Sequence, residues 1–135
     1  MTRVFLDANV LFTAAHNPPG KAALVIALGA KGKWEVVSSR YAAEEARRNI
    51  VSKFPHCQLR LQELLDSISI IASGPGTDCP VKLPEKDRPI MEAAIRSQST
   101  HLLTGDLRDF GTFMNKPRQT AGIVIQTVAE FLSSL

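Results

Sequence analysis

The stretch Val4-Phe5-Leu6-Asp7-Ala8-Asn9-Val10-Leu11 constrains this chain more than any other. An apolar run stops at an aspartate, and apolar residues resume after Asn9. A carboxylate at the end of a buried run is costly unless something compensates it. The run reads as a strand buried on both faces, as in the interior of a parallel sheet. Asp7 then falls at the carboxyl end of that strand, where open α/β sheets place their ligands. A second reading makes Asp7 or Asn9 the cap of the next helix. The stretch alone does not separate the two.

The remainder of the chain alternates in period. Arg3 to Asp7 is the first strand, followed by a helix to His16 that the breaker cluster Asn17-Pro18-Pro19-Gly20 ends. Lys21 to Ala30 reads as a buried helix closed by Gly29 and Gly32. Trp34 to Ser38 is a second strand. Arg40 to Lys53 is a helix capped by Ser39 and stopped by Phe54-Pro55. Gln58 to Asp66 is helical, Ser67 to Ala72 a third strand, and Ser73 to Pro84 a loop with Gly74, Pro75, Gly76 and Pro80. Glu85 to Ser99 is a helix that tolerates Pro89 in its first turn. His101 to Thr104, a turn with a short helix over Gly105 to Phe113, a strand at Ala121 to Ile125 and a helix at Thr127 to Leu132 complete the chain. This alternation predicts a three-layer α/β/α sandwich around a five-stranded parallel sheet. A length of 135 residues fits one domain spanning 1–135.

The formal charge of +3 permits a polyanionic partner without demanding one. Asp7 and Asn9 interrupt the first apolar run, so it does not read as a secretory leader. No stretch is long enough for a membrane span. Cys57 and Cys79 stand far apart in no metal-binding spacing, which suits reduced thiols in a cytoplasmic protein. His16, His56 and His101 show no zinc spacing either.

Four acidic positions fit the predicted layout. Asp7 ends the first strand, Glu45 lies in the helix after the second, Asp87 opens the helix before the fourth, and Asp106 follows the fourth in Thr104-Gly105-Asp106. Right-handed crossovers bring strand ends and helix starts to one sheet edge, so all four can converge. Two carboxylates about 4 Å apart repel by about 4 kcal/mol at an effective dielectric near 20. Convergence therefore calls for a hard divalent ion with oxygen preference, Mg²⁺ or Mn²⁺. Such a site can orient a phosphodiester and activate water for in-line attack. Each acid also has a plainer reading: Asp87 as a cap, Glu45 as a solvated helix residue, Asp106 and Asp109 as turn residues. Glu44 competes with Glu45.

Taken together, these segments resemble the PIN-domain family. The resemblance rests on Phe5 to Leu11, on Val37-Ser38-Ser39 through Glu44 to Asn49, on Asp87 to Ala94, and on Leu102-Leu103-Thr104-Gly105-Asp106 through Phe110, and it spans nearly the whole chain. It implies a metal-dependent nuclease acting on RNA, of the small stand-alone kind that serves as the toxin of a toxin–antitoxin pair and forms homodimers. It implies that Asp7, Glu45, Asp87 and Asp106 are the catalytic, metal-binding acids, with Asp109 a less regular further ligand. Glu45 is preferred to Glu44 because it falls six residues after Ser39 and five before Ile50. Asn9 and Thr104 match positions that hydrogen-bond the carboxylates.

Competing chemistries fit less well. A phosphatase with Asp7 as nucleophile wants aspartate at position 9, where Asn9 stands. A phosphoreceiver wants a lysine after a late strand, where Gln126-Thr127 stands. A dinucleotide site needs a glycine-rich first turn, which Asp7-Ala8-Asn9 is not. An inactive PIN-like module that binds RNA or protein is the non-enzymatic alternative. Arg40, Arg88 and Arg108 are candidates for holding phosphates, and Arg47 and Arg48 lie near the same edge.

Overall fold

The computed structural model describes residues 1–72 and 79–135; the expected loop residues Gly74, Pro75 and Gly76 lie outside the described residues. Five parallel strands form one sheet: β1 (Arg3–Leu6), β2 (Glu35–Ser39), β3 (Ser69–Ile71), β4 (His101–Leu103) and β5 (Val124–Gln126), in the order β3-β2-β1-β4-β5. β1 is central, pairing Phe5 with Val37 on one side and with Leu102 on the other. Val4, Phe5 and Leu6 are completely buried, as expected for a strand covered on both faces.

Helices α1 (Ala8–His16) and α2 (Lys21–Ala30) connect β1 to β2, and α3 (Arg40–Lys53) and α4 (Gln58–Asp66) lead to β3. α5 (Arg88–Arg96) precedes β4, α6 (Leu107–Phe110) follows it, and α7 (Val128–Ser133) closes the chain. α1 packs against α2, α3 and α4, whereas α5 packs against β2 and β4. Because right-handed crossovers run outward from β1 to β3 and then back to β4, α5 covers the opposite face from α1 to α4. The result is the expected three-layer α/β/α sandwich.

The helix sequences explain their seating. α3 buries Ala42, Ala43, Ala46 and Ile50, a stripe at helical spacing on an otherwise charged element. Small residues there let the helix approach the sheet closely. Ser39 caps it by accepting the Ala42 N–H at 3.1 Å. α5 likewise buries Ile90, Met91, Ala93 and Ala94, and Pro89 occupies its first turn.

Several boundaries differ from the sequence reading. α5 starts at Arg88 rather than Glu85, because the N–H groups of Asp87 and Arg88 close a turn on the Pro84 carbonyl. β3 starts at Ser69, since Ser67 still caps α4 through its N–H to Leu64. β5 starts at Val124 because Ala121 and Gly122 have φ of 55° and 83°, a turn conformation incompatible with a strand. Gly32, with φ of 87°, ends α2 as expected, but Gly29 lies inside the helix. A Cβ on Gly29 would sit 2.4 Å from a Val36 methyl, so the glycine permits close packing of α2 on β2.

Candidate metal centre

In the strand order, the direction of winding reverses between β1 and β4. The crevice at the carboxyl ends of these two strands is the switch point where open sheets bind ligands. Asp7 is the residue after β1, and its N–H continues the ladder to the Leu103 carbonyl at 3.0 Å. Thr104, Gly105 and Asp106 follow β4 directly.

Asp7 is 4% exposed and its carboxylate is fully engaged. One oxygen accepts the Ala8 N–H at 2.7 Å, and the other accepts the Thr104 hydroxyl at 2.8 Å and the Asn9 amide at 3.2 Å. Asp7 is thus the N-cap of α1 while standing at the carboxyl end of β1. Burial nevertheless outweighs these bonds, and the Glu45 charge adds to it, raising the pKa to about 6. Asn9 and Thr104 both orient the acid, and Asn9 additionally accepts the Gly105 N–H at 2.6 Å.

The tightest gathering is Asp87, Asp106 and Asp109, each offering a carboxylate oxygen within 4.8 Å of the others. Neither Asp7 nor Glu45 belongs to that group, although Glu45 lies close enough to raise both Asp7 and Tyr41. Asp106 caps α6 by accepting the Asp109 N–H at 3.1 Å, which turns Asp109 back toward it. Asp87 occupies the N-cap position of α5 but makes no capping bond. It is 7% exposed, and its Oδ2 is buried with no hydrogen-bond partner. Burial, the facing Asp109 carboxylate and the Asp106 charge raise Asp87 to about 7. Its partner Asp109 is lowered, chiefly by its side-chain interaction with Asp87.

An orphaned, buried carboxylate oxygen on an acid that gathers with two others fits a cation. All donors are hard oxygens, and no histidine or cysteine joins them, which suits Mg²⁺ or Mn²⁺ and disfavours zinc.

Two residues that the sequence reading did not single out line the same crevice. Lys86 Nζ lies 3.5 Å from Asp109, and the charges of Asp87 and Asp109 hold its pKa up. Tyr41 donates its hydroxyl to the Lys86 carbonyl at 2.7 Å, and its pKa is raised by burial and by Glu45 and Asp87. It links α3 to the turn before α5. Only their proximity in sequence to Asp87 and Glu45 hinted at either residue.

Glu44 is exposed and paired with Arg47, which also contacts Gln62. Arg40 is exposed at the first position of α3 and Arg108 is exposed on α6. Arg88 is exposed, with its Nε 3.9 Å from Glu92. Cys57 and Cys79 are free thiols. Among the described residues, no helix is long and apolar enough to cross a membrane.

No protein-family model matches the sequence, and no curated protein matches it. Solved structures do match. VapBC2 from Rickettsia felis, bound to a DNA fragment from their promoter, is similar at 15% identity with a TM-score of 0.67, over 93% of this chain and 98% of that one. DNA-bound VapBC from Salmonella typhimurium is similar at 14% identity and a TM-score of 0.65, over 95% of this chain and 99% of that one. VapBC-1 from nontypeable Haemophilus influenzae gives 13% and 0.60, again over 95% and 99%. An all-parallel sheet in the order β3-β2-β1-β4-β5, flanked by helices and similar to these structures over nearly its whole length, gives the chain a three-layer α/β/α, PIN-like fold.

Proposed function

We propose that the chain is a Mg²⁺- or Mn²⁺-dependent endoribonuclease that hydrolyses RNA phosphodiester bonds, and that it acts in the cytoplasm as the toxin of a toxin–antitoxin pair. The observation that carries this reading is the buried, unpartnered Oδ2 of Asp87 beside Asp106 and Asp109 at the switch point. In this reading Asp87, Asp106 and Asp109 hold the ion from one wall of the crevice, and Asp7 and Glu45 close the site from the other. Bound there, the ion supplies the Lewis acidity that polarises a phosphodiester and acidifies water. Asn9 and Thr104 fix the Asp7 carboxylate so that it does not swing away when the site loads. Arg40, Arg88 and Arg108 lie exposed on helices that begin at this edge and hold neighbouring phosphates. Similarity to three VapBC structures supports an antitoxin protein as partner, and the family resemblance supports a homodimer.

The test is cleavage of a fluorescent single-stranded RNA by purified protein, with EDTA, with Mg²⁺ and with Mn²⁺. The expected result is cleavage that EDTA abolishes and Mn²⁺ restores. Asp7→Asn and Asp87→Asn should each lower the rate by about a hundredfold or more while RNA binding persists, because each removes a negative charge from the phosphate path. Glu44→Gln should matter far less than Glu45→Gln. Cleavage that continues unchanged in EDTA or in Asp7→Asn would sink the mechanism. RNA binding without cleavage under every ion would favour the inactive module instead.

A further inference from the structure

Beside the acids lies a cavity of about 650 Å³ that the proposed ion site does not use. It runs from the switch point between α1, the α1–α2 turn and the start of α7. Asn9 and Thr104 form its inner wall, the same two residues that hold Asp7, so the cavity and the acid crevice share a border. Its volume falls within the range of small-molecule sites.

The lining has a distinct chemistry. Thr13, Asn17 and Thr127 present neutral donors and acceptors, and Val10, Val128 and Ala129 present apolar surface. Among the described residues, Lys21 is the one charged residue on it and no carboxylate lines it, although the adjoining crevice is acidic. Among the described residues no aromatic ring lines it either, which is not the stacking platform used to bind a run of bases. A cavity that combines apolar surface, uncharged hydrogen-bonding groups and one exposed lysine suits a single nucleoside whose phosphate reaches the acids. Neutral amides and hydroxyls read the edge of an unstacked base, and the cation faces a phosphate.

We propose that this cavity receives the nucleoside flanking the bond to be cleaved, and that Thr13, Asn17 and Thr127 are where the protein discriminates among RNA sequences. The proposal rests on the reading of the chain as a ribonuclease and assigns that enzyme its specificity site.

Two variants test it without touching an acid. Ala129 is exposed on α7, and Ala129→Phe fills the cavity from its rim. Asn17 is exposed after α1, and Asn17→Ala removes one reading group. Both are measured for KM and kcat on a short RNA, for the cleavage positions in a randomised RNA, and for Mn²⁺ affinity by calorimetry. Ala129→Phe should raise KM by about tenfold with Mn²⁺ affinity unchanged, and Asn17→Ala should shift the preferred base at one position next to the cut. Cleavage with unaltered KM and unaltered positions in both variants would overturn the cavity assignment and leave the ribonuclease reading standing. A wild type that binds the fluorescent RNA without cleaving it, and loses binding in Ala129→Phe, would keep the cavity and overturn hydrolysis. A wild type that neither binds nor cleaves RNA would overturn both.

Discussion

Replacing Asp7 by asparagine should stabilise the metal-free protein at neutral pH and do so less as the pH falls. In the fold, burial raises the Asp7 pKa from 3.8 to about 6. A raised carboxylate pKa means that the folded state holds its proton more tightly than the unfolded state, so stability falls as pH rises from the unfolded value through the folded one. At 1.36 kcal/mol per unit, the full penalty is about 3 kcal/mol near pH 8 and roughly half that near pH 5. Asparagine removes the penalty but cannot satisfy every neighbour. One carboxylate oxygen accepts from Ala8, the other from Thr104 and Asn9, so either orientation of the amide points its NH₂ at a donor. One lost hydrogen bond costs about 1 kcal/mol. The net expectation is stabilisation of about 2 kcal/mol near pH 8, shrinking by about 1.4 kcal/mol at pH 5. Urea unfolding of both proteins in EDTA at the two pH values measures the difference. A difference that does not change with pH would show that Asp7 carries no raised pKa, and the electrostatic account of the crevice would fail with it.

Lys86→Met should bind Mn²⁺ a few-fold more tightly in calorimetry, because the ammonium that faces Asp109 opposes an incoming cation and exposed pairs of this kind are weak; weaker binding would mean that Lys86 instead organises the acids. Ser39→Ala should lose about 1 kcal/mol in urea unfolding, the usual cost of an N-cap, since it frees the Ala42 N–H; no loss would mean that α3 is held by its alanine face alone.

Much of this architecture was legible in the residues, for identifiable reasons. β1 announced itself because Val4, Phe5 and Leu6 are apolar on both faces, a pattern that only a doubly covered strand needs. The cap at Ser39 and the breaker cluster before α2 act locally, within a few residues, and so can be read locally. Boundaries that depended on backbone shape were not legible. Nothing in Glu85-Lys86-Asp87 reveals that the chain turns there on the Pro84 carbonyl before the helix begins. Gly29 looked like a terminator because the methyl it accommodates belongs to Val36 on another element. The acids divided in the same way. The predicted layout named Asp7, Glu45, Asp87 and Asp106, and the family resemblance added Asp109, but the gathering of Asp87, Asp106 and Asp109 into a tight trio, with Asp7 and Glu45 outside it, is set by the α6 cap that folds Asp109 back on Asp106.

The joint between these two groups is the Thr104 hydroxyl. It donates to Asp7 at 2.8 Å and accepts the Asp106 N–H at 3.0 Å, with the Asn9 amide at 3.3 Å. A hydroxyl has one donor and two acceptor sites, so Thr104 is used to capacity. It is fully buried, and its own N–H is tied to the Gln126 carbonyl of β5. One side chain on the sheet therefore fixes the acid after β1 relative to the acid after β4. Across the crevice, the Tyr41 hydroxyl does the same for α3 and the turn carrying Lys86 and Asp87. Carboxylates that repel would relax apart if they sat on free loops. Tied through Thr104 and Tyr41 to packed elements, they cannot, and the cost of charging them, chiefly burial with the neighbouring carboxylates adding to it, appears as the raised pKa values of Asp7 and Asp87. Only a proton or a cation discharges it. Asp7 gives up its proton above about pH 6 and Asp87 above about pH 7, and on the proposed reading a hard divalent ion takes the proton's place.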